Sequence, residues 1–303
     1  MDINFTKAAE LKGHAGPVYA LCAGSREGTF FSGSSDGFVA EWDLVSFMPE
    51  KFSVKIGQPV YALEHILEFH LLVAGTGSGA FHVIDLKEKK EVRHIVQHSS
   101  SVFDVRYNSK QKHLYTVSAD GHFCVWEVPT FRLLIDYPIC SEKLRHIAIS
   151  PSGDKIALAC GDHIVRVFET EFYNPIRDLK AHSMSVNSVF FTNENSLISG
   201  GKDAFLHWWN SESEIPYLSV PAHNFAIYTI VGSPDGKLFA TGSRDKTVKI
   251  WNAETNDFLL RIERKSHLAH TASVNRLYWD KFTGLLVSAG DDRTVFCWRK
   301  SVE

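Results

Sequence analysis

The feature that most limits what this chain can become is a unit of about 42 residues that repeats along its whole length. Each unit closes a short β-rich run on a large apolar residue: Trp42, Ile84, Trp126, Phe168, Trp209, Trp251 and Trp298, at successive separations of 42, 42, 42, 41, 42 and 47 residues. Six residues before each lies a turn position, held by Asp36, Ser78, Asp120, Asp162, Asp203, Asp245 and Asp292. Five units add a histidine (His14, His98, His182, His223, His270) placed 22, 22, 21, 22 and 22 residues ahead of the aspartate. A register held this far marks one supersecondary unit stacked against copies of itself.

Within a unit the pattern is β. In the sixth, Ile227-Tyr228-Thr229-Ile230 precedes the turn Ser233-Pro234-Asp235-Gly236, and Leu238 to Gly242 follows as a second strand. Arg244-Asp245-Lys246 makes a tight turn into Thr247–Trp251, and residues 257–262 make a fourth strand. Four strands per unit, seven units and no long helix predict an all-β seven-bladed β-propeller of four-stranded antiparallel blades. Length alone suggests two domains, but a repeat array grows as one body, so residues 1–303 are expected to form a single propeller. After Trp298 too few residues remain for an outer strand, whereas residues 3–11 have no blade of their own. The N-terminal strand is therefore expected to complete blade seven, close the ring and cover an otherwise unpaired edge.

Leu11-Lys12-Gly13-His14 and Trp42-Asp43 resemble the Gly-His and Trp-Asp ends of a WD40 repeat, and the resemblance covers residues 3–300. Only the first unit has a literal Trp-Asp; Trp126-Glu127, Trp209-Asn210 and Trp251-Asn252 stand in its place elsewhere. The resemblance implies blades with strands a to d running outward from the axis. It also implies a buried tetrad in each His-bearing blade, joining His, a hydroxyl, Asp and Trp. The hydroxyls are Ser32, Thr116, Ser199, Thr241 and Ser288, four residues before each Asp. These sets could also be read as Ser-His-Asp nucleophilic sites. A catalytic site occurs once, though, and five copies in register describe scaffolding. Units two and four lack the His, replace the hydroxyl by Ala74 and Leu158, and replace Trp by Ile84 and Phe168. A polar network kept whole or discarded is expected where a stranded buried group costs about 1–3 kcal/mol. Asp162 survives alone and is expected to be satisfied by the backbone of its own turn.

Other chemistries are disfavoured. A formal net charge of −3 lacks the basic excess that phosphate neutralisation requires, so nucleic acid is not the expected partner. The first residues show no basic segment leading into an apolar core, and no apolar run approaches the ~18–20 residues of a membrane helix. Phosphoinositide-binding propellers use an adjacent Arg-Arg pair, which this sequence does not contain. Cys22, Cys124, Cys140, Cys160 and Cys297 are odd in number and mostly inside β-runs. They read as reduced, buried thiols in a cytoplasmic protein. Pairs such as His94 with His98 or His267 with His270 lack a helix face and an acidic or Cys partner at zinc spacing. Neither metal nor cofactor is expected. The five residues added before His270 should enlarge the loop entering blade seven, as a binding element or a tolerated insertion.

Fold does not name function. The expected function is non-enzymatic: a scaffold for protein–protein interaction that binds a peptide or protein on its top face. The alternatives are a propeller-type hydrolase or lyase with a site at the channel mouth, and an architectural subunit that binds through its sides. A unique acid–base–nucleophile cluster would favour the enzyme, and none breaks the repeat pattern. The second residue of each innermost strand should face the channel: Tyr19, Tyr61, Phe103, Arg145, Asn187, Tyr228 and Asn275. In WD40 proteins the matching positions line the top mouth. Blades five to seven flank their turns with Lys202, Arg244, Lys246 and Arg293, offset by Asp291, where blades one to three carry only small neutral residues. An aromatic mouth beside a basic arc suits an extended peptide with acidic or phosphorylated groups.

Overall fold

The structure, a computed structural model, describes residues 3–210 and 213–302. Seven four-stranded antiparallel sheets are arranged as a ring. Blade one is Val18–Ala23, Thr29–Ser34, Phe38–Asp43 and Pro49–Lys55, paired in that order, and the next five blades repeat it. Blade seven is built differently. Its inner strands Val274–Trp279, Leu286–Gly290 and Thr294–Val302 take their outer partner from the other end of the chain, Ile3–Lys12. That strand pairs from Ile3 opposite Val302 to Lys12 opposite Thr294, with one register shift between Lys7 and Ala9. Phe5, fully buried, meets the edge of Trp279 at 6.0 Å and anchors the closure.

A propeller has no single core, because each blade buries its faces against two neighbours. Seven apolar clusters result, and each bridges a pair of adjacent blades. The innermost strands begin on Val18, Val60, Val102, Leu144, Val186, Ile227 and Val274, all fully buried. Each contributes about 1.5–3 kcal/mol by leaving water. Close approach explains two glycines in second strands. A Cβ at Gly33 would lie 2.6 Å from Val60 of the next blade, and one at Gly242 would lie 2.8 Å from Val274.

Neighbouring innermost strands are also tied by side-chain-to-backbone bonds. The amide of Ile147 donates to Asp104 (3.0 Å), that of Ile230 to Ser188 (3.1 Å), and that of Leu277 to Thr229 (3.3 Å). Each bond satisfies a strand amide that has no ladder partner on the channel side.

The sequence predicted no long helix, and among the described residues two single-turn helices occur. One, Leu67–Phe69, lies between the first two strands of blade two. The other, Arg264–His267, takes up the insertion before His270. The insertion docks on the closure: Lys7 Nζ donates to the Leu268 carbonyl at 3.2 Å, and His267 meets the edge of Trp298.

Candidate functional site

All seven expected rim residues line one cavity of about 420 Å³ at the channel mouth, together with Lys143, Arg276 and Asp291. What aims them there is a β-bulge. The pairing of first and second strands shifts register across every one: between Val18 and Ala20, Val60 and Ala62, Val102 and Asp104, Leu144 and His146, Val186 and Ser188, Ile227 and Thr229, Val274 and Arg276. The skipped residue is Tyr19, Tyr61, Phe103, Arg145, Asn187, Tyr228 or Asn275. A bulge leaves its residue out of the ladder and re-aims its side chain.

On one side the rim residues stack on each other. Tyr19 lies on Tyr61 with ring centroids 5.0 Å apart, Tyr61 meets Phe103 edge-on at 5.6 Å, and the Arg145 guanidinium caps Phe103 at 4.5 Å. Across the mouth, Asn187 donates to the Ile227 carbonyl (2.8 Å), and Asn275 donates to Val18 (3.2 Å) and to Asp291 (2.7 Å). Arg145 differs from them. It has no hydrogen bond or ion pair among the described residues, and its guanidinium rests on the Phe103 face. Burial pulls its pKa below the ordinary arginine value, yet a guanidinium stays charged at neutral pH. Its donors thus lack an acceptor in a half-buried setting.

Beneath the mouth a charged layer crosses the channel. Arg276 of blade seven donates to Asp104 of blade three at 2.8 Å. Arg106 donates to the same carboxylate at 3.2 Å, lies 3.1 Å from His146 Nε2, and pairs with Glu64 at 3.5 Å. Burial opposes the Asp104 charge, but Arg106, Arg276 and the Ile147 amide outweigh it and hold the carboxyl far below its usual range. Burial pushes Glu64 up to about 7 and His146 down to about 3. Two guanidiniums therefore face one full carboxylate and a second carboxyl, Glu64, that burial draws toward its neutral form. Residue spacing could not have revealed it, because its members come from blades two, three, four and seven.

Lys202, Arg244, Lys246 and Arg293 are exposed on the same face as the mouth. The turn amides of Lys202, Arg244 and Asp291 donate to Ser185, Ala226 and Ser273, which lie just ahead of the innermost strands. Arg244 rests over Phe225, itself 57% exposed. One feature tempers the expected asymmetry. Each cation adjoins a tetrad carboxylate, Asp203, Asp245 or Asp292, that hydrogen bonding keeps ionised. These turns are thus nearly balanced, while Asp36 and Asp120 of blades one and three have no cation beside them. Arg145, by contrast, has no acidic residue beside it in sequence.

Five tetrads are present with one geometry. In blade five, Trp209 Nε1–H donates to Ser199 Oγ (2.9 Å), Ser199 is 2.8 Å from His182 Nε2, and His182 Nδ1 is 2.9 Å from Asp203. Blade one repeats it through Trp42, Ser32, His14 and Asp36, and blade three through Trp126, Thr116, His98 and Asp120. Blades six and seven do so through Trp251, Thr241, His223 and Asp245, and through Trp298, Ser288, His270 and Asp292. Burial works against the aspartate charge, but the ring N–H and the amide after each histidine outweigh it. Every hydroxyl is fully buried and already accepts an indole N–H, so no substrate carbonyl can reach it.

One expectation needs correction. Asp162 is not satisfied by its own turn: the Arg166 guanidinium holds it from two nitrogens, at 2.9 and 2.6 Å. Metal-ligand types also come together where spacing suggested none, at Cys140, Cys160 and Asp162 and at His182, Asp203 and His207. In the second group both nitrogens of His182 are committed to its tetrad, so that ring has no lone pair to offer.

The repeat pattern described as "WD domain, G-beta repeat" matches residues 5–43, 89–127, 173–210, 215–252 and 263–299, well over half of the chain. The chain belongs to the WD40 family. The two long stretches outside the match, 44–88 and 128–172, hold the three inner strands of the two blades without a tetrad. The crystal structure of the WD40 β-propeller domain of Doa1 superposes with a TM-score of 0.83 over 97% of both chains at 18% identity, a likeness of fold. Among curated relatives, the periodic tryptophan protein 2 homolog of Caenorhabditis elegans is 25% identical over 65% of this WD40 chain and 17% of its own length. Protein FIZZY-RELATED 3 of Arabidopsis thaliana is 22% identical over 78% of this chain and 51% of its own. The U3 small nucleolar RNA-associated protein 15 homolog of Xenopus laevis is 28% identical over 63% and 34%. The chain thus spans about half or less of these relatives. Among the described residues, no helix of this WD40 protein is long and apolar enough to cross a membrane.

Proposed function

We propose that this WD40 protein is a non-enzymatic scaffold that seats an extended, acidic segment of a partner protein in the channel mouth. The observation that carries the reading is Arg145: a charged guanidinium, lying on an aromatic face at the wall of a 420 Å³ cavity, with no acceptor of its own. A carboxylate or phosphate is the group that matches its planar donors. Lys143 on the same wall adds to the attraction, and the Tyr19–Tyr61–Phe103 stack offers an apolar platform beside it. Aromatic and Arg side chains are the usual anchors of such contacts. The arc of Lys202, Arg244, Lys246 and Arg293 lies outside the mouth and serves encounter more than holding, since rim charges act mainly on association rate.

The experiment is a binding measurement with a partner captured on the native protein. Replacing Tyr19, Tyr61 and Phe103 by Ala should abolish capture while the protein stays folded. Changing Lys202 and Arg244 to Glu should slow association and flatten its salt dependence. Full capture by a folded triple variant places the partner elsewhere.

A further inference from the structure

Blade four replaces the tetrad with thiols. Cys140 stands 42 residues after His98 and 42 before His182, at the position where five blades carry the tetrad histidine. Its sulfur, the sulfur of Cys160 and a carboxylate oxygen of Asp162 all lie within 4.8 Å of one another. Cys160 ends the strand Lys155–Cys160 and is fully buried. Cys140 is half-exposed in the loop after Arg132–Pro138, where its thiol is 3.2 Å from the Glu142 carbonyl. The cluster is not poised for a cation. Both Asp162 oxygens are held by Arg166, and that guanidinium opposes a metal ion while it favours a thiolate.

We propose that Cys140 and Cys160 form a reactive dithiol that closes to an intramolecular disulfide when a hydroperoxide oxidises it. The Cys140 thiolate attacks one peroxide oxygen. An S–O bond forms, the O–O bond breaks, and the departing hydroxide takes a proton to become water. Cys140 is then a sulfenic acid. The Cys160 sulfur gives up its proton and attacks that sulfur. The S–S bond forms, the S–O bond breaks, and the leaving hydroxide takes up the proton as a second water. Two thiols lose two electrons and one hydrogen peroxide gains them.

The partition of roles follows from the surroundings. The hydrogen bond from Cys160 pulls Cys140 down to about 7, so much of it is thiolate at neutral pH, while the same bond and burial hold Cys160 well up as the thiol. The remaining cysteines are buried. Burial holds Cys22 and Cys124 well above the ordinary thiol range and pushes Cys297 up to about 12. The blade thus pairs one accessible nucleophile with one resolving partner.

The test treats the native protein with stoichiometric hydrogen peroxide, alkylates free thiols, digests with trypsin and weighs the peptides. Residues 133–143 and 156–166 form separate tryptic peptides, one holding Cys140 and the other Cys160. The expected product joins them at a mass two hydrogens below their sum, and a reducing agent reverses it. In Cys160→Ser the reaction should stop at a sulfenic acid on Cys140, which dimedone traps. Three outcomes in the wild type overturn the proposal: both thiols unreacted, Cys140 carried to sulfinic acid with Cys160 still alkylated, or Cys140 joined to a second chain.

Discussion

Asp104→Ala removes the carboxylate on which three blades converge at the channel. Its side chain is fully buried and accepts from Arg276 at 2.8 Å, Arg106 at 3.2 Å and the Ile147 amide at 3.0 Å. Arg106 retains Glu64 at 3.5 Å. Arg276, whose side chain is only 10% exposed, loses its counter-ion, and the Ile147 amide loses its acceptor. Removing one partner of a buried pair costs about 3–5 kcal/mol, because the other charge stays desolvated. The stranded amide falls within that range rather than adding in full, since alanine leaves room for water. Asp104→Ala should therefore destabilise by about 3–5 kcal/mol. Removing both charges in Asp104→Ala/Arg276→Met should recover at least about 1.5 kcal/mol of that loss, a non-additivity expected of groups in contact. Urea unfolding followed by tryptophan fluorescence is the right assay, because guanidinium chloride would screen the pair. If Asp104→Ala unfolds at the wild-type midpoint, or if Arg276→Met adds its full cost on top, the cross-channel pair is not what holds these blades together.

Deleting residues 1–12 exposes the edge of blade seven, and Phe5→Ala alone should cost about 3–5 kcal/mol in chemical denaturation. A truncated protein that melts with the full chain would contradict the closure. His182→Ala should lower stability by about 1–3 kcal/mol by stranding Ser199 and Asp203; an unchanged denaturation midpoint would refute the network. Glu64 gives a pH signature. Its folded carboxyl titrates at about 7 against an unfolded value of 4.5, so between them the folded chain holds a proton the unfolded chain has lost. That stabilisation is complete below about 4.5 and disappears as pH rises through 7. Glu64→Gln should flatten the fall in stability between pH 5 and 8, and parallel pH profiles would show that Glu64 is not desolvated.

The ring was legible because its determinants are periodic. A tetrad needs His, hydroxyl, Asp and Trp at fixed offsets, and the innermost strand needs a buried residue followed by one that faces the channel. Spacing therefore turned Tyr19 to Asn275 toward the channel, the WD40 resemblance put them at its mouth, and the missing strand after Trp298 pointed to the N terminus. What periodicity hides is what breaks it. Asp104, Arg106, His146 and Arg276 meet only once the ring is closed; Asp104, His146 and Arg276 come from positions held elsewhere by Ala20, Ala62, Ser188 and Thr229, and Arg106 from one held by Cys22 and Glu64. The pairing of Asp162 with Arg166 was missed because the loss of His at position 140 leaves the turn aspartate open to a neighbouring strand. Charge on the outer turns was also over-read, since a tetrad aspartate remains an anion even when its hydrogen bonds are satisfied.

The most direct test of the proposed interface is a photo-crosslinking map taken with the native partner. A benzoylphenylalanine placed at Tyr228 samples the mouth, and one at Leu67, exposed in the turn at the opposite edge of blade two, samples the other face. The account predicts a crosslink from position 228 that disappears in Arg145→Glu and is competed by an acidic peptide, with none from position 67. Crosslinks from position 67 alone, or a crosslink from 228 indifferent to Arg145→Glu, would contradict it.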